Sequence, residues 1–129
     1  MITNTRQSTD KKILVIDDDV SFSKMLVDYF MSQGYWVCSA QQMDEAIKLS
    51  RKNKPKVVLL DFNMPLVTGD QLLPVLQEVN PQVKAIVITG CTGDEVEERF
   101  KGLGYFAYFE KGGLSLESLK EKVEEAMNY

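Results

Sequence analysis

Short apolar runs alternate with amphipathic stretches from one end of the chain to the other. The first run, Ile13-Leu14-Val15-Ile16, is uninterrupted and rich in β-branched residues, as expected of a strand that is buried on both faces. Four similar runs follow it along the chain. The predicted strands are residues 13–16, 35–39, 57–60, 85–88 and 105–109.

Between these runs, apolar residues recur at the three- and four-residue spacing of helices that pack on one face. Gly34 is expected to end the first helix, and Ser115 to cap the last. Pro74 lies inside the third helical pattern and is compatible with it only near the first turn. The apolar positions that mark the helices are Phe22, Met25, Leu26, Tyr29 and Phe30; Met43, Ala46 and Ile47; Leu72, Leu73, Leu76 and Val79; Val96, Phe100 and Leu103; and Leu116, Leu119, Val123 and Met127.

Strands and helices alternate strictly, which predicts a doubly wound α/β fold. Strands that are buried on both faces and connected through helices form a parallel sheet with helices on either side. Right-handed crossovers leave few topologies for such a chain. Its length of 129 residues is that of one domain.

Composition excludes several classes of function. A formal net charge of −4 argues against DNA or an anionic membrane as a direct ligand. The chain contains no histidine, which excludes Ser-His-Asp and Cys-His catalysis and a phosphohistidine on this chain. Cys38 and Cys91 are expected to be reduced thiols, and no cluster suits zinc. The polar N-terminal residues and the absence of a long apolar run predict a soluble, cytoplasmic protein.

Polar residues follow four of the predicted strands, at the point where each apolar run ends. The carboxyl ends of parallel strands meet at one edge of the sheet, where ligands bind in open α/β folds, so these residues are expected to converge. They are Asp17, Asp18 and Asp19 after the first strand, Asp61 and Asn63 after the third, Thr89 and Gly90 after the fourth, and Lys111 after the fifth.

The acidic members of this set indicate a hard metal ion and phosphoryl chemistry. Neighbouring carboxylates repel one another, and burial raises their pKa values, so a divalent cation would relieve the conflict. Oxygen ligands without histidine or cysteine suit Mg²⁺, which also accepts phosphate oxygens. A carboxylate is a nucleophile toward phosphorus and gives an acyl phosphate. Lys111, the Thr89 hydroxyl and the backbone N–H of Gly90 would neutralise and hydrogen-bond the phosphoryl oxygens.

Five pieces of sequence, in order and at the predicted strand ends, resemble the receiver domain of two-component response regulators. The pieces are ILVIDDD, VVLLDFNMP, the TG of IVITG, YFEK and, in residues 64–69, the loop MPLVTG. The resemblance covers residues 12–129 and implies a flavodoxin-like sheet with the strand order 2-1-3-4-5. Residues 1–11 are expected to form a flexible tail before this domain.

The resemblance implies a role for each acidic residue of the set. Asp61 is similar to the phosphoacceptor of the family. Asp18 and Asp61 are similar to the direct ligands of Mg²⁺, which Mn²⁺ is able to replace. The backbone carbonyl of Asn63 would complete the protein ligands, and Asp17 would act through a metal-bound water.

The resemblance also implies how the signal is received and passed on. Thr89 and Lys111 would contact the phosphoryl group, together with the backbone of Gly90. Thr89 and Tyr108 would form the switch, because Tyr108 is similar to the aromatic residue that swings inward on activation. The output surface would comprise the loop and helix after the fourth strand, the fifth strand and the last helix, roughly residues 89–129.

The function implied is that of a phosphoacceptor switch rather than a turnover enzyme. A sensor histidine kinase or a phosphotransfer protein would phosphorylate Asp61, and the changed surface would regulate a downstream protein or an output domain outside this sequence. Only self-phosphorylation from a donor and autodephosphorylation are expected as chemical steps. The domain would be a monomer or a weak dimer that depends on phosphorylation.

Two other functions remain open from the residues. A Mg²⁺-dependent phosphohydrolase would also use an aspartyl phosphate, but such enzymes carry an acid two residues after the nucleophile, where this chain has Asn63. A degenerate receiver would keep the fold and act only as an interaction module. The complete acidic set argues against this alternative.

The residue after Lys111 departs from the family pattern. The family has a proline there with a cis peptide bond, whereas this chain has Gly112 followed by Gly113. A cis bond before a non-proline residue costs about 2.5–4 kcal/mol, which favours a trans bond and leaves the reach of Lys111 open. The neighbouring Glu110 is a competitor for the lysine charge.

Overall fold

The computed structural model describes residues 8–64, 66–90 and 93–129. Five strands and five helices alternate along these residues, as the apolar pattern predicts. In chain order they are β1 (Ser8–Ile16), α1 (Val20–Ser32), β2 (Tyr35–Ala40), α2 (Met43–Asn53), β3 (Val57–Asp61), α3 (Gly69–Val79), β4 (Lys84–Thr89), α4 (Gly93–Arg99), β5 (Ala107–Glu110) and α5 (Leu116–Met127).

The five strands form one sheet in the order β2-β1-β3-β4-β5, and every pair is parallel. The doubly wound, flavodoxin-like fold and its strand order are therefore confirmed. Strand order reverses at β1, which lies between β2 and β3. The carboxyl ends of β1 and β3 therefore meet at the switch point where open α/β sheets bind ligands.

Successive residues of the central strands point to opposite faces of the sheet, and each face has its own core. Leu14 and Val58 pack on the side of α2, α3 and α4, with Leu72 and Phe100 among their neighbours. Ile13 and Val57 pack on the other side, where α1 and α5 cover the sheet. Burial on both faces explains why these strands are continuous apolar runs.

The first strand begins earlier than the sequence indicates. Residues 8–11, assigned to the tail by their polarity, belong to β1 in the structure. Ser8 pairs with Tyr35, and the register shifts between Ser8 and Lys12. Polar residues are compatible with a strand here because the side chains of Asp10 and Lys11 are exposed. The remainder of the predicted tail, residues 1–7, lies outside the described residues.

Helix α4 ends earlier and β5 begins later than predicted. Phe100 and Leu103 follow the helix, although Phe100 is fully buried. Gly102 and Gly104 adopt φ angles of +78° and +75°, a left-handed conformation that does not continue a helix. Apolar spacing alone does not reveal this turn, because Phe100 and Leu103 still pack against the core.

Helix ends agree with some sequence signals and not with others. The Ser115 side chain caps α5 by accepting a hydrogen bond from the Ser118 N–H at 3.2 Å, which confirms that prediction. Pro74, expected near the first turn, is instead the sixth residue of α3. It is exposed, so water can satisfy the carbonyl group that a proline leaves without a donor.

Among the described helices, none has the length and apolar composition that crossing a membrane would require. Cys38 is a free, half-buried thiol on β2. Cys91 lies outside the described residues, so the prediction for this thiol stays a prediction.

Candidate functional site

Three carboxylates from two strands converge at the carboxyl edge of the sheet. Asp17 directly follows β1, Asp18 is next to it, and Asp61 is the last residue of β3. Each offers an oxygen atom, and these atoms all lie within 4.8 Å of one another. Asp17 and Asp61 are only 2% and 3% exposed, whereas Asp18 is open to solvent. The expected acidic cluster is therefore present and can hold a metal ion.

Backbone groups hold two of these carboxylates in place. The Oδ1 atom of Asp17 accepts a hydrogen bond from the Asp19 N–H at 2.8 Å. The Oδ1 atom of Asp61 accepts one from the Asn63 N–H at 3.3 Å. Both contacts join residues two apart, so the turn after each strand orients the carboxylate in front of it.

Lys111 reaches the cluster from the end of β5, which is separated from β3 by β4. Its Nζ atom lies 3.0 Å from Asp17 Oδ2 and 3.7 Å from Asp61 Oδ1. Its backbone N–H donates to the Thr89 carbonyl at 2.7 Å, which ties the loop to the end of β4. No peptide bond of the described residues is cis, so the Lys111–Gly112 bond is trans and the lysine still reaches both carboxylates. Glu110 is exposed, and the recorded ion pairs of Lys111 go to the cluster.

The electrostatics of the cluster favour an added cation. Burial, together with the negative charge of Asp17, raises the pKa of Asp61 to about 7, against the opposing charge of Lys111. Burial acts to lower the pKa of Lys111, but its hydrogen bond to Asp17 and the charge of Asp61 outweigh this effect and raise it. The cluster thus has one lysine, which contacts two of the three carboxylates, and a hard divalent cation suits the remaining charge.

The other predicted site residues lie around this cluster. Thr89 is fully buried at the end of β4, beside Glu110 of β5 in the strand register. Gly90 is exposed, and a Cβ at this position would meet no atom within 4 Å. The space that phosphoryl oxygens would need beside its backbone is therefore open.

Tyr108 lies on β5, and its side chain is half-buried. Its hydroxyl packs against Gly93, the first residue of α4, where a Cβ would overlap with it. The tyrosine therefore touches the element that the family resemblance places in the output surface. Asn63 is exposed beyond the end of β3.

Sequence analysis included Asp19 in the candidate set without a separate role and missed the contact that Phe22 makes with the site. Asp19 is the N-cap of α1, where its Oδ1 accepts a hydrogen bond from the Phe22 N–H at 3.1 Å. An aspartate just before a helical pattern is a known start signal and could have revealed this role. Phe22, assigned to the core by its spacing, places its ring centroid 4.6 Å from Lys111 Nζ. No sequence signal indicates this contact between the Phe22 ring and Lys111.

Comparison with known families adds an independent line of evidence. The family model described as "Response regulator receiver domain" matches residues 13–124. A response regulator receiver protein of Anaeromyxobacter sp. is 31% identical over 101 residues, which are 78% of this chain and 42% of that protein. Sporulation initiation phosphotransferase F of Bacillus subtilis is 26% identical over 102 residues, which are 79% of this chain and 82% of that protein.

Solved structures agree with these matches. A response regulator protein from Burkholderia pseudomallei, crystallised with a phosphorylated aspartic acid, a calcium ion and citrate, is 26% identical and superposes with a TM-score of 0.81. The match covers 92% of this chain and 69% of that one. Coverage of the relatives thus varies, and the chain spans less than half of the Anaeromyxobacter protein.

Proposed function

Because the chain belongs to the response regulator receiver family, we propose that it is a phosphoacceptor switch that is phosphorylated on Asp61 by a partner histidine kinase or phosphotransfer protein. Receiver domains of two-component systems act as phosphoacceptor switches rather than as classical enzymes. The observation that carries the proposal is the position of Asp61. Its carboxylate is 3% exposed and lies beside Asp17, Asp18 and the Lys111 ammonium at the switch point of the sheet.

The proposed reaction transfers a phosphoryl group from a phosphohistidine to this carboxylate. An oxygen of Asp61 attacks phosphorus, the new P–O bond forms, and the electron pair of the breaking P–N bond leaves with the imidazole. The Lys111 ammonium, already 3.7 Å from Asp61, would offset charge on the phosphoryl oxygens. Thr89 and the backbone N–H of Gly90 would donate hydrogen bonds to them.

The donor set fits Mg²⁺. Asp18 and Asp61 would be direct ligands with the Asn63 backbone carbonyl, and Asp17 would act through a water. When bound, the cation would neutralise charge that the carboxylates and the phosphoryl group share. Mn²⁺ prefers the same oxygen ligands and would replace it. The phosphorylated aspartic acid and the calcium ion in the Burkholderia protein support a hard cation and an acyl phosphate together.

The output would be a population shift between two conformations. Closure of Thr89 and Lys111 on the phosphoryl group would favour the conformation with Tyr108 turned inward. Tyr108 packs against α4, so its movement would change the surface formed by α4, β5 and α5. That surface would regulate a downstream protein or an output domain. We further propose a cytoplasmic location, no direct contact with nucleic acid or membrane, and a monomer or a weak, phosphorylation-dependent dimer.

Intact mass spectrometry after incubation with Mg²⁺ and phosphoramidate or acetyl phosphate tests the proposal. We expect the mass of one added phosphoryl group, lost when Mg²⁺ is chelated and absent from Asp61→Asn. Asp28→Asn is the matched control, because this exposed aspartate of α1 lies outside the cluster. If the domain takes up no phosphoryl group from the small donors or from phosphorylated histidine kinases, it acts only as an interaction module. Steady phosphate release from a generic phosphatase substrate would instead indicate a phosphohydrolase.

A further inference from the structure

The backbone of Lys111 is held by two hydrogen bonds, one to the Thr89 carbonyl and one from the Leu114 N–H, but the two glycines that follow it have no side chains to pack against the lysine. Gly112 and Gly113 are both exposed, and a Cβ at either position would meet no atom within 4 Å. Gly113 adopts a φ of +75°, a conformation that glycine permits. A lysine side chain has a long, flexible stem, so other contacts must fix the position of its ammonium group.

An aromatic ring supplies one of these contacts. The Lys111 Nζ atom lies 4.6 Å from the centroid of the Phe22 ring, within the distance of a cation–π interaction. This distance is the shortest among the five such pairs recorded in the described residues. The lysine side chain is only 24% exposed, and partial loss of water strengthens the attraction between an ammonium and a ring face.

The backbone that carries the ring is held by the same loop that forms the acidic cluster. The Phe22 N–H donates to Asp19 Oδ1 at 3.1 Å, and the Asp19 N–H donates to Asp17 Oδ1 at 2.8 Å. The second oxygen of Asp17, Oδ2, lies 3.0 Å from Lys111 Nζ. Asp17, Asp19, Phe22 and Lys111 thus form a closed circuit of contacts that starts and ends at one carboxylate. The helix cap holds the backbone of Phe22. The Phe22 ring and the Asp17 carboxylate then both contact the Lys111 ammonium.

We propose that Phe22 is a positioning residue that holds the Lys111 ammonium toward Asp61. The role rests on the proposed function, because it is Asp61 that would receive the phosphoryl group. The aromatic face restrains the lysine side chain itself, in addition to the hydrogen bonds that hold the Lys111 backbone. Phe22 touches no reacting atom, and it acts through the lysine.

Phosphorylation kinetics of two variants separate this role from simple packing, since Phe22 also borders the core beneath α1. Phe22→Leu keeps an apolar side chain without a ring, and Phe22→Tyr keeps the ring. With phosphoramidate and saturating Mg²⁺, we expect Phe22→Leu to slow phosphoryl uptake about three- to tenfold and Phe22→Tyr to stay within about twofold. Equal slowing in both variants would overturn the proposal.

A double-mutant cycle adds a readout that a structural role would not move. In a Lys111→Ala background the ring has no ammonium to hold, so Phe22→Leu should cause no further slowing of uptake. An equal effect of Phe22→Leu in both backgrounds would assign the residue to packing alone.

Nuclear magnetic resonance tests the contact without any phosphoryl transfer. We expect the ε-methylene protons of Lys111 to be shifted upfield by the Phe22 ring, to keep that shift in Phe22→Tyr and to lose it in Phe22→Leu. An unshifted lysine in the wild-type protein would overturn the proposal. If the wild-type protein takes up no phosphoryl group but shows the shift, the proposed function fails while the positioning contact stands.

Discussion

Gly69 lies so close to Asp61 that a Cβ at position 69 would be 2.8 Å from the Asp61 carbonyl oxygen. The same atom would be 3.2 Å from the Cα of Phe62. The Gly69 N–H donates to the Phe62 carbonyl at 2.9 Å, so the start of α3 is held against the end of β3. The obstacles are backbone atoms, which cannot rotate away as a side chain does.

Gly69→Ala should therefore destabilise the fold and displace Asp61. We expect a loss of about 1–3 kcal/mol in the free energy of unfolding, measured by urea denaturation, because overpacking against backbone forces a shift of the strand end. Gly112→Ala is the control, since a Cβ there meets nothing within 4 Å, and its effect on stability should be small. Equal stability of the two variants would contradict the close approach.

A substitution at Leu66 is expected to stabilise the fold. This fully exposed residue has a φ of +73°, a left-handed conformation that costs a non-glycine residue about 1–2 kcal/mol. Asparagine tolerates the conformation better, so Leu66→Asn should raise the free energy of unfolding by about 0.5–1 kcal/mol. Leu66→Ala removes the exposed side chain and keeps the strain, and it should give no comparable gain. Thermal unfolding of the three proteins measures both effects.

The raised pKa of Asp61 makes the stability of the metal-free protein depend on pH. An acid whose pKa is about 7 when folded, against 3.8 ordinarily, holds its proton more tightly in the folded state. Its contribution to stability is present below pH 4 and is lost as pH rises to about 7. Asp61→Asn removes this dependence on pH. At pH 8 the free energy of unfolding of the variant should therefore exceed that of the wild-type protein by on the order of 2 kcal/mol.

Urea denaturation in the presence of a chelator, at several values between pH 4 and pH 8, measures that difference. The gap between Asp61→Asn and the wild-type protein should widen as pH rises. Mg²⁺ should narrow it at pH 8, because a bound cation offsets the charge on the carboxylate. Parallel curves for the two proteins across the whole range would show that the buried carboxyl is not perturbed.

The sequence predicted which side chains converge better than it predicted some element boundaries, for a physical reason. Asp17 and Asp61 directly follow buried apolar runs, Lys111 follows the end of β5, and the parallel sheet then requires those strand ends to meet at one edge. The end of α4 depends instead on the left-handed conformations of Gly102 and Gly104. Apolar spacing carries no information about these angles, because the neighbouring side chains stay buried whether or not the helix continues.

Contacts between distant elements were the other part that the sequence could not reveal. Phe22 has the spacing of a core residue, and it does border the core, but its ring also faces Lys111. The left-handed Leu66 likewise gives no signal, because leucine is not a residue that favours this conformation. Family resemblance assigns roles only to the residues that carry a known function, and it assigned none to Phe22 or Leu66.

The contact between Tyr108 and Gly93 gives a test of the proposed switch. A Cβ at position 93 would overlap with the Tyr108 hydroxyl and lie 2.8 Å from its Cζ atom. The tyrosine can rotate about its χ1 angle, while the first turn of α4 is tied to a helix. Gly93→Ala should therefore move the aromatic ring, and the resonances of the Tyr108 ring should shift without any phosphoryl donor.

A double-mutant cycle of Gly93→Ala and Tyr108→Ala separates this overlap from an effect of alanine on the helix itself. Alanine favours a helix over glycine by about 1 kcal/mol, so Gly93→Ala should be neutral or stabilising once the tyrosine side chain is absent. With Tyr108 present, the same change should be less favourable, because the ring must leave its place against α4. Urea denaturation of the four proteins measures the coupling. Equal effects in both backgrounds, with unmoved Tyr108 resonances, would show that the ring does not restrain the start of α4.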